Sequence, residues 1–207
     1  MQRIDHALYG VRDLDEAARR FRDELGLGSY PGGRHTGRGT GNVIVPLGRD
    51  YVELLGVVDP VEATQAPTAR WLQDLVADGD RPVGWCVSAD NFDEVAARLG
   101  LTPTDWSREL PDGTVLRWRL AGREVAMENP TLPFFISWEI RDDQHPSRTM
   151  VNHRARPSGI AWIEVGGDEA ELNHWLGGES LPVRVVDGPP GVRAIGIRTD
   201  GGEVVIR

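Results

Sequence analysis

Two side chains near the start of the chain have the types and spacing for chemistry at a shared point. In "IDHALYGV", period-two alternation sets Ile4, His6 and Leu8 on one face of a strand and Ala7, Tyr9 and Val11 on the other. In "YVELLGV" it groups Tyr51, Glu53 and Leu55 opposite Val52 and Leu54. If helices cover the Ala7 and Val52 faces, His6 and Glu53 both look to the concave side. An imidazole and a carboxylate placed there can hydrogen-bond each other or a substrate and move a proton. A lone inward carboxylate is costly unless it is paired, solvated or coordinated.

Other candidates follow from the same alternation. His35 stands in "GGRHTGRGTGN", where Gly37, Gly39 and Gly41 permit tight bends or close ligand approach, so it is a candidate general acid or base. Asn42 shares a strand face with Ile44, and from there its amide could orient a substrate carbonyl or hydroxyl, while Thr40 fixes the turn. Arg117 and Arg119 share a face that reads as solvated. His145, His153 and His174 read as connector or helix-surface residues, and Cys86 as a small buried hydrophobe.

The elements that must position these residues come as a repeat. "IDHALYGVRDLDEAARRFRDELGL", "RPVGWCVSADNFDEVAARLGLTP" and "SGIAWIEVGGDEAELNHWLGG" each read strand, acidic turn, helix. Their Asp-Glu pairs, Asp15/Glu16, Asp93/Glu94 and Asp168/Glu169, recur at 78 and then 75 residues. Carboxylates in a first helical turn favour the macrodipole and can cap open amides, which explains the pairs without catalysis. Three strand-like segments follow each helix: in the first unit a glycine-rich stretch, "NVIVPLG" and "YVELLGVVD"; in the second "TDWSREL", "TVLRWRLAG" after a "PDG" turn, and "FFISWEI"; in the third "PVRVVDG", "GVRAIGIRTD" and "EVVIR".

The expected fold class is therefore α+β, with tandem β-α-β-β-β modules forming curled mixed sheets around a cleft and a third related module at the C-terminus. The expected boundaries are a first module at 1–60, a linking helix at 61–80, a second module at 81–140, a connector at 141–155 and a shorter third module at 156–207. Units of about 55 residues are small to stand alone, which points to one compact structural unit. A third module without a partner in the chain would be completed by homodimerisation.

Composition narrows the function classes. The 207-residue chain carries a formal charge of −9 spread along its length, which argues against a nucleic-acid surface. One cysteine excludes an intramolecular disulfide framework and a cysteine-rich zinc site. No apolar run approaches 18 residues and no leader pattern opens the chain, so neither a membrane span nor export is expected and the cytoplasm is the default. A small-molecule substrate or ligand remains.

Several of these stretches resemble the vicinal oxygen chelate superfamily, and most closely its glyoxalase-like branch (glyoxalase/bleomycin resistance/dioxygenase type). The opening "IDHALYGVRDLDEAARRF" is similar to that family's first strand and helix. "GGRHTGRGTGNVIVPLGRDYVELLGVVD" is similar to the branch's His-x-Gly-x-Gly-Thr-x-Asn stretch followed by Tyr-x-Glu-Leu. "LPFFISWE" and "VNHRARPSGI" are similar as well.

The resemblance implies a sheet-lined cleft in which His6 and Glu53 occupy the family's metal-ligand positions. They would hold one divalent ion (Zn, Ni, Mn, Fe or Co) or pair without metal, and His35 is a candidate third ligand. The sequence departs from the family at the remaining ligand positions: aligning the repeats carries His6 onto Gly84 and Gly159, and the last-strand counterpart falls at Phe135 or Ile136. Gly84 would instead leave room for a ligand, with Trp85, Phe135 and Trp138 as apolar walls. The function implied is a lyase or isomerase acting on a substrate with vicinal oxygens, with Glu53 and His35 as catalytic residues and Asn42 positioning. Dioxygenase chemistry is less favoured because the His-His-Glu triad expected for iron is incomplete. The alternative is a non-catalytic protein that binds or sequesters a small molecule in the same cleft.

Overall fold

A computed structural model of the chain describes residues 1–35, 37–109 and 113–207. In chain order its elements are β1 (Gln2–Gly10), α1 (Leu14–Asp23), β2 (Tyr30–His35), β3 (Thr40–Pro46), β4 (Tyr51–Val57), α2 (Pro60–Ala63), α3 (Pro67–Leu75), β5 (Arg81–Ala89), α4 (Phe92–Leu99), β6 (Thr104–Glu109), β7 (Val115–Ala121), α5 (Arg123–Glu128), β8 (Phe134–Trp138), β9 (Pro157–Gly166), α6 (Glu169–Leu176), β10 (Val183–Val186), β11 (Gly191–Thr199) and β12 (Gly202–Ile206). Two short 3₁₀ turns, Asp142–Gln144 and Pro146–Arg148, lie between β8 and β9. Pro111 and Asp112 of the expected "PDG" turn fall outside the described residues.

The first and third modules open with the expected carboxylate caps, whereas α4 of the second carries Asp93 and Glu94 in its first turn without a side-chain cap. Asp13 caps α1 by accepting the Glu16 N–H at 2.9 Å, and Asp168 caps α6 by accepting the N–H groups of Ala170 and Glu171. Asp15 and Glu16 sit in the first turn of α1, and Ala17 and Phe21 turn its apolar stripe inward. Burying a side chain the size of Phe21 contributes roughly 1.5–3 kcal/mol.

An eight-stranded sheet runs β2-β3-β4-β1-β5-β8-β7-β6, two half-sheets of the same order joined where β1 pairs antiparallel with β5. Within the halves β1 runs parallel to β4 and β5 parallel to β8. The sheet curls until its outer strands approach: a Cβ on Gly33 of β2 would meet Arg108 Cδ of β6 at 3.0 Å. This mixed, nearly barrel-like sheet is the expected α+β arrangement of tandem β-α-β-β-β modules.

The third module forms its own sheet, β10-β9-β11-β12. It does not stand open. Ile160, Ile163, Ile195 and Ile197 join Ala7, Trp85, Val87 and Phe135 in one core on the convex side of the large sheet. Tyr9 donates its hydroxyl to the Arg207 carbonyl at 2.9 Å across this contact. The third module thus finds its cover within the chain, which removes the reason for expecting a homodimer to supply it.

Three local features differ from the sequence expectations. The linking helix is two pieces, α2 and α3, because Pro67 restarts the helix. A six-residue helix, α5, interrupts the last two strands of the second module, entered through Gly122 at φ 79°. Ile4 belongs to the convex core with Ala7 and Tyr9, and not to the face of Leu8. Its displacement follows from an irregularity in the β1–β5 ladder, where Ile4 pairs with Val87 and His6 with Cys86, leaving Asp5 as an extra residue. No helix among the described residues is long and apolar enough to cross a membrane.

Candidate active-site cleft

The extra residue in β1 determines what the cleft contains. With one residue more than β5 across this pairing, β1 breaks its alternation and brings the Asp5 carboxylate to the same side as the His6 ring. Asp5 Oδ1 lies 2.8 Å from His6 Nδ1; Asp5 Oδ2 accepts the Trp138 indole N–H at 3.0 Å and faces His145 Nε2 at 3.3 Å. Burial pushes this carboxyl up, but hydrogen bonds from His145 and His6 outweigh it and hold the group well below the usual carboxylate range. An ionised carboxylate only accepts, so His6 Nδ1 and His145 Nε2 both carry hydrogens. His145 Nδ1 is then free to accept from the Ser147 hydroxyl at 2.8 Å.

His6 consequently turns Nε2 toward the cleft, 3.7 Å from Glu53 Oε2. Its ring is stacked on Tyr51 at 4.6 Å between centroids and meets the edge of Phe134 at 5.6 Å, which locks its orientation. Glu53 projects from β4, and its other oxygen, Oε1, accepts from Asn42 Nδ2 at 2.7 Å. Gly32 on β2 makes that contact possible, because a Cβ there would overlap the Asn42 amide.

His35 completes the polar end. Its Nδ1 is 2.9 Å from Thr40 Oγ1, and its Nε2 lies 3.5 Å from Asn42 Nδ2 and 4.0 Å from Glu53 Oε1. Burial lowers the His35 imidazole below its ordinary value, and Arg123, Arg108 and Arg38 lower it further against the pull of Glu53. At neutral pH this imidazole is uncharged. Glu53 is thus a carboxylate with one oxygen held by an amide and the other facing a ring nitrogen across the cleft, an arrangement suited to taking a proton from carbon.

The opposite wall is aromatic and cationic. Trp106, Trp118 and Trp138 follow one another across β6, β7 and β8, with centroids 6.5 and 5.3 Å apart. Leu8, Ile44, Leu55, Leu120, Phe134 and Ile136 supply the apolar floor, and the arginines Arg38, Arg108 and Arg123 line the same space. The cleft is open to solvent, and the roughly 740 Å³ of empty space along it includes that open solvent. A small apolar recess adjoins it behind Leu8, Leu55 and Phe134, with Gly84 on its wall.

The structure brings His6, His35, Asn42, Glu53 and Trp138 together in the cleft and sets Gly84 in the adjoining recess. Trp85 and Phe135 do not face it. Both are fully buried in the convex core, where Trp85 donates to the Thr131 carbonyl at 3.1 Å and Phe135 stacks on Trp175 at 6.0 Å. In β8 the alternation runs Phe134, Ile136, Trp138, so Phe134 supplies the aromatic ring expected of Phe135. Trp106, Trp118 and the three arginines line the cleft, and Asp5 and His145 stand behind His6; the sequence pattern singled out none of these as site residues. Arg119 is half-buried and paired with Asp93 at 2.7 Å.

The metal expectation can be tested on the donor set. His6 Nε2 and Glu53 Oε2 make two ligands, and His35 Nε2, the expected third, lies 4.0 Å from Glu53 Oε1, the oxygen already held by Asn42, whereas a competent centre generally takes three from the protein. No group of three His, Cys, Asp or Glu side chains among the described residues could hold a metal ion. Glu53 Oε1 already accepts from Asn42. The residues present do not fit a three-ligand centre.

A sheet of two like half-sheets curled round a cleft, with a histidine from the first strand facing a glutamate from the fourth, defines a vicinal oxygen chelate fold. A family model described as a glyoxalase-like domain matches residues 4–179, and the chain belongs to that family. Among solved structures, a hypothetical protein from Staphylococcus aureus is similar over 93% of this chain and 88% of that one, with TM-score 0.68 and 16% identity, a likeness of fold. Methylmalonyl-CoA epimerase from Mycobacterium tuberculosis is similar over 68% of this chain and 89% of its own, with TM-score 0.46 and 15% identity. No curated protein matches the chain.

Proposed function

We propose that the chain is an isomerase or lyase acting on a small substrate with neighbouring oxygens, and that Glu53 is its base. The observation that carries this is the Glu53 carboxylate, with Oε1 held by Asn42 and Oε2 facing His6 Nε2 at 3.7 Å. Glu53 Oε2 takes a proton from a carbon beside a carbonyl, and the electron pair moves onto the carbonyl oxygen as an enolate. Return of the proton to the other face or to the neighbouring carbon completes an isomerisation; expulsion of a group from the adjacent carbon completes an elimination. Asp5 fixes the His6 tautomer and ring plane, so His6 acts on the substrate oxygen from a set position. No step is routed through a metal ion, because the donor set supplies two ligands and not three.

The test is hydrogen exchange in D₂O, followed by NMR, with mandelate, glyceraldehyde and phenylpyruvate as probes and protein purified without chelator. Enzyme-dependent exchange of a carbon-bound proton that disappears in Glu53→Gln is expected. Exchange that survives Glu53→Gln overturns the assignment of the base. A stoichiometric bound metal lost in His6→Ala overturns the metal-free part. Tight binding of a probe without any exchange would favour the non-catalytic binding reading, for which the long aromatic wall is the supporting observation.

A further inference from the structure

Three guanidinium groups in the cleft have no carboxylate against them among the described residues, and Glu124 acts on Arg38 and Arg123 only from a distance. The exposed or partly exposed Arg20, Arg34 and Arg119 all meet carboxylates, at 3.0 Å and 2.7 Å for Arg20 and Arg119. Arg38, Arg108 and Arg123 meet none within 4.0 Å among the described residues, in a chain whose net charge is −9. They come from three separate places, the β2–β3 loop, β6 and the start of α5, and converge on one volume. Arg38 and Arg123 lie over the same indole, with their guanidinium carbons 3.7 and 5.4 Å from the Trp106 ring centroid. Arg108 Nε is buried and has no hydrogen-bond partner. Arg123 has a single neutral contact, its Nη1 donating to Thr68 Oγ1 at 3.3 Å.

Like charges gathered in a partly buried space repel and lose hydration, so the arrangement is unfavourable without a counter-charge. Inside the cleft the only carboxylate among the lining residues is Glu53, whose Oε1 already accepts from Asn42. A planar guanidinium fork matches a carboxylate or phosphate in two parallel hydrogen bonds. The tryptophan wall beside it offers flat apolar faces. Resting on the reading of the cleft as a substrate site, we propose that it selects molecules carrying a carboxylate or phosphate on a flat apolar body. Arg38, Arg108 and Arg123 take the charge, Trp106 and Trp118 take the body, and the reacting carbon is thereby delivered to Glu53.

Tryptophan fluorescence and calorimetric titration with four probes test this: phenylpyruvate, phenyl phosphate, the neutral phenylacetone and inorganic phosphate. The expected result is that at least one aromatic anion binds about 10-fold or more tighter than phenylacetone, and that added salt weakens only the anions. The ranking of phenylpyruvate and phenyl phosphate identifies which anion the cleft takes. Arg38→Met, Arg108→Met and Arg123→Met each weaken the preferred anion by about 10- to 100-fold and leave phenylacetone unchanged, which also reports that the cleft is intact. Phenylacetone binding as tightly as both aromatic anions to the wild-type protein overturns the proposal, as does unchanged anion binding in all three variants. Inorganic phosphate binding as tightly as phenyl phosphate overturns the part assigned to the tryptophans. Glu53→Gln separates the two readings: it retains or strengthens anion binding here, whatever its effect on proton exchange.

Discussion

Asp50 sits in the turn between β3 and β4, and its carboxylate reaches the third module, where Oδ1 accepts the Ile160 N–H at 2.9 Å. Burial pushes this carboxyl from 3.8 up to about 7, with the Asp5 charge adding to the rise and the Ile160 N–H opposing it. The folded protein therefore binds a proton between these values that the unfolded chain has released. Stability falls as pH rises through that window, and the loss is complete above about 7. At about 1.4 kcal/mol per unit, the part of the loss between pH 5 and pH 8 comes to about 3 kcal/mol.

Asp50→Asn keeps an oxygen for the Ile160 N–H and cannot ionise. Its stability relative to the wild type should therefore rise by about 3 kcal/mol on going from pH 5 to pH 8. Urea unfolding of both proteins at the two pH values measures this, with equal m-values as the check that the unfolding transition is the same. Every other titrating group cancels in the comparison. A stability difference that is identical at pH 5 and pH 8 would refute the reasoning, because it would mean that Asp50 titrates alike in the folded and unfolded chain.

Asp5→Ala leaves the N–H groups of His6, His145 and Trp138 without their acceptor, so at about 1–3 kcal/mol each it should destabilise the protein by about 3 kcal/mol or more in urea. The lowered Asp5 carboxyl also predicts the opposite pH sign to Asp50: its contribution is present above 3.8 and is lost as pH falls below it, which acid titration of the wild type against Asp5→Asn will show. A Cβ on Gly84 meets nothing closer than Leu8 Cδ1 at 3.9 Å, so Gly84→Ala should leave the melting temperature in a thermal unfolding scan unchanged or slightly raised. Gly32→Ala drives a methyl group into Asn42 and should cut proton exchange at least about 10-fold by freeing Glu53 Oε1, with a stability loss of about 1–3 kcal/mol read by denaturation.

What could be read from the residues and what could not divides along a physical line. His6, Asn42 and Glu53 lie on strands whose alternation is short-range, and β1, β3 and β4 are neighbours in the sheet, so local pattern suffices to place them together. The extra residue at Asp5 defeats the same pattern, because a bulge is set by pairing with β5, some 80 residues away. It sends Ile4 to the convex core and brings Asp5 beside His6. In β8 the parity is set by Phe134 opposite Cys86, which turns Phe135 outward although its chemistry suits either face.

The cationic half of the cleft has no local signature at all. Arg38, Arg108 and Arg123 are ordinary in their own segments, and they meet only because the sheet curls until β6 lies against β2. The proposed base is thus written in neighbouring strands of one half-sheet, whereas the groups proposed to choose its substrate are assembled from both halves. Changes in β6 and in α5 can alter selectivity while His6, Asn42 and Glu53 stay as they are, which is how one such scaffold serves different substrates.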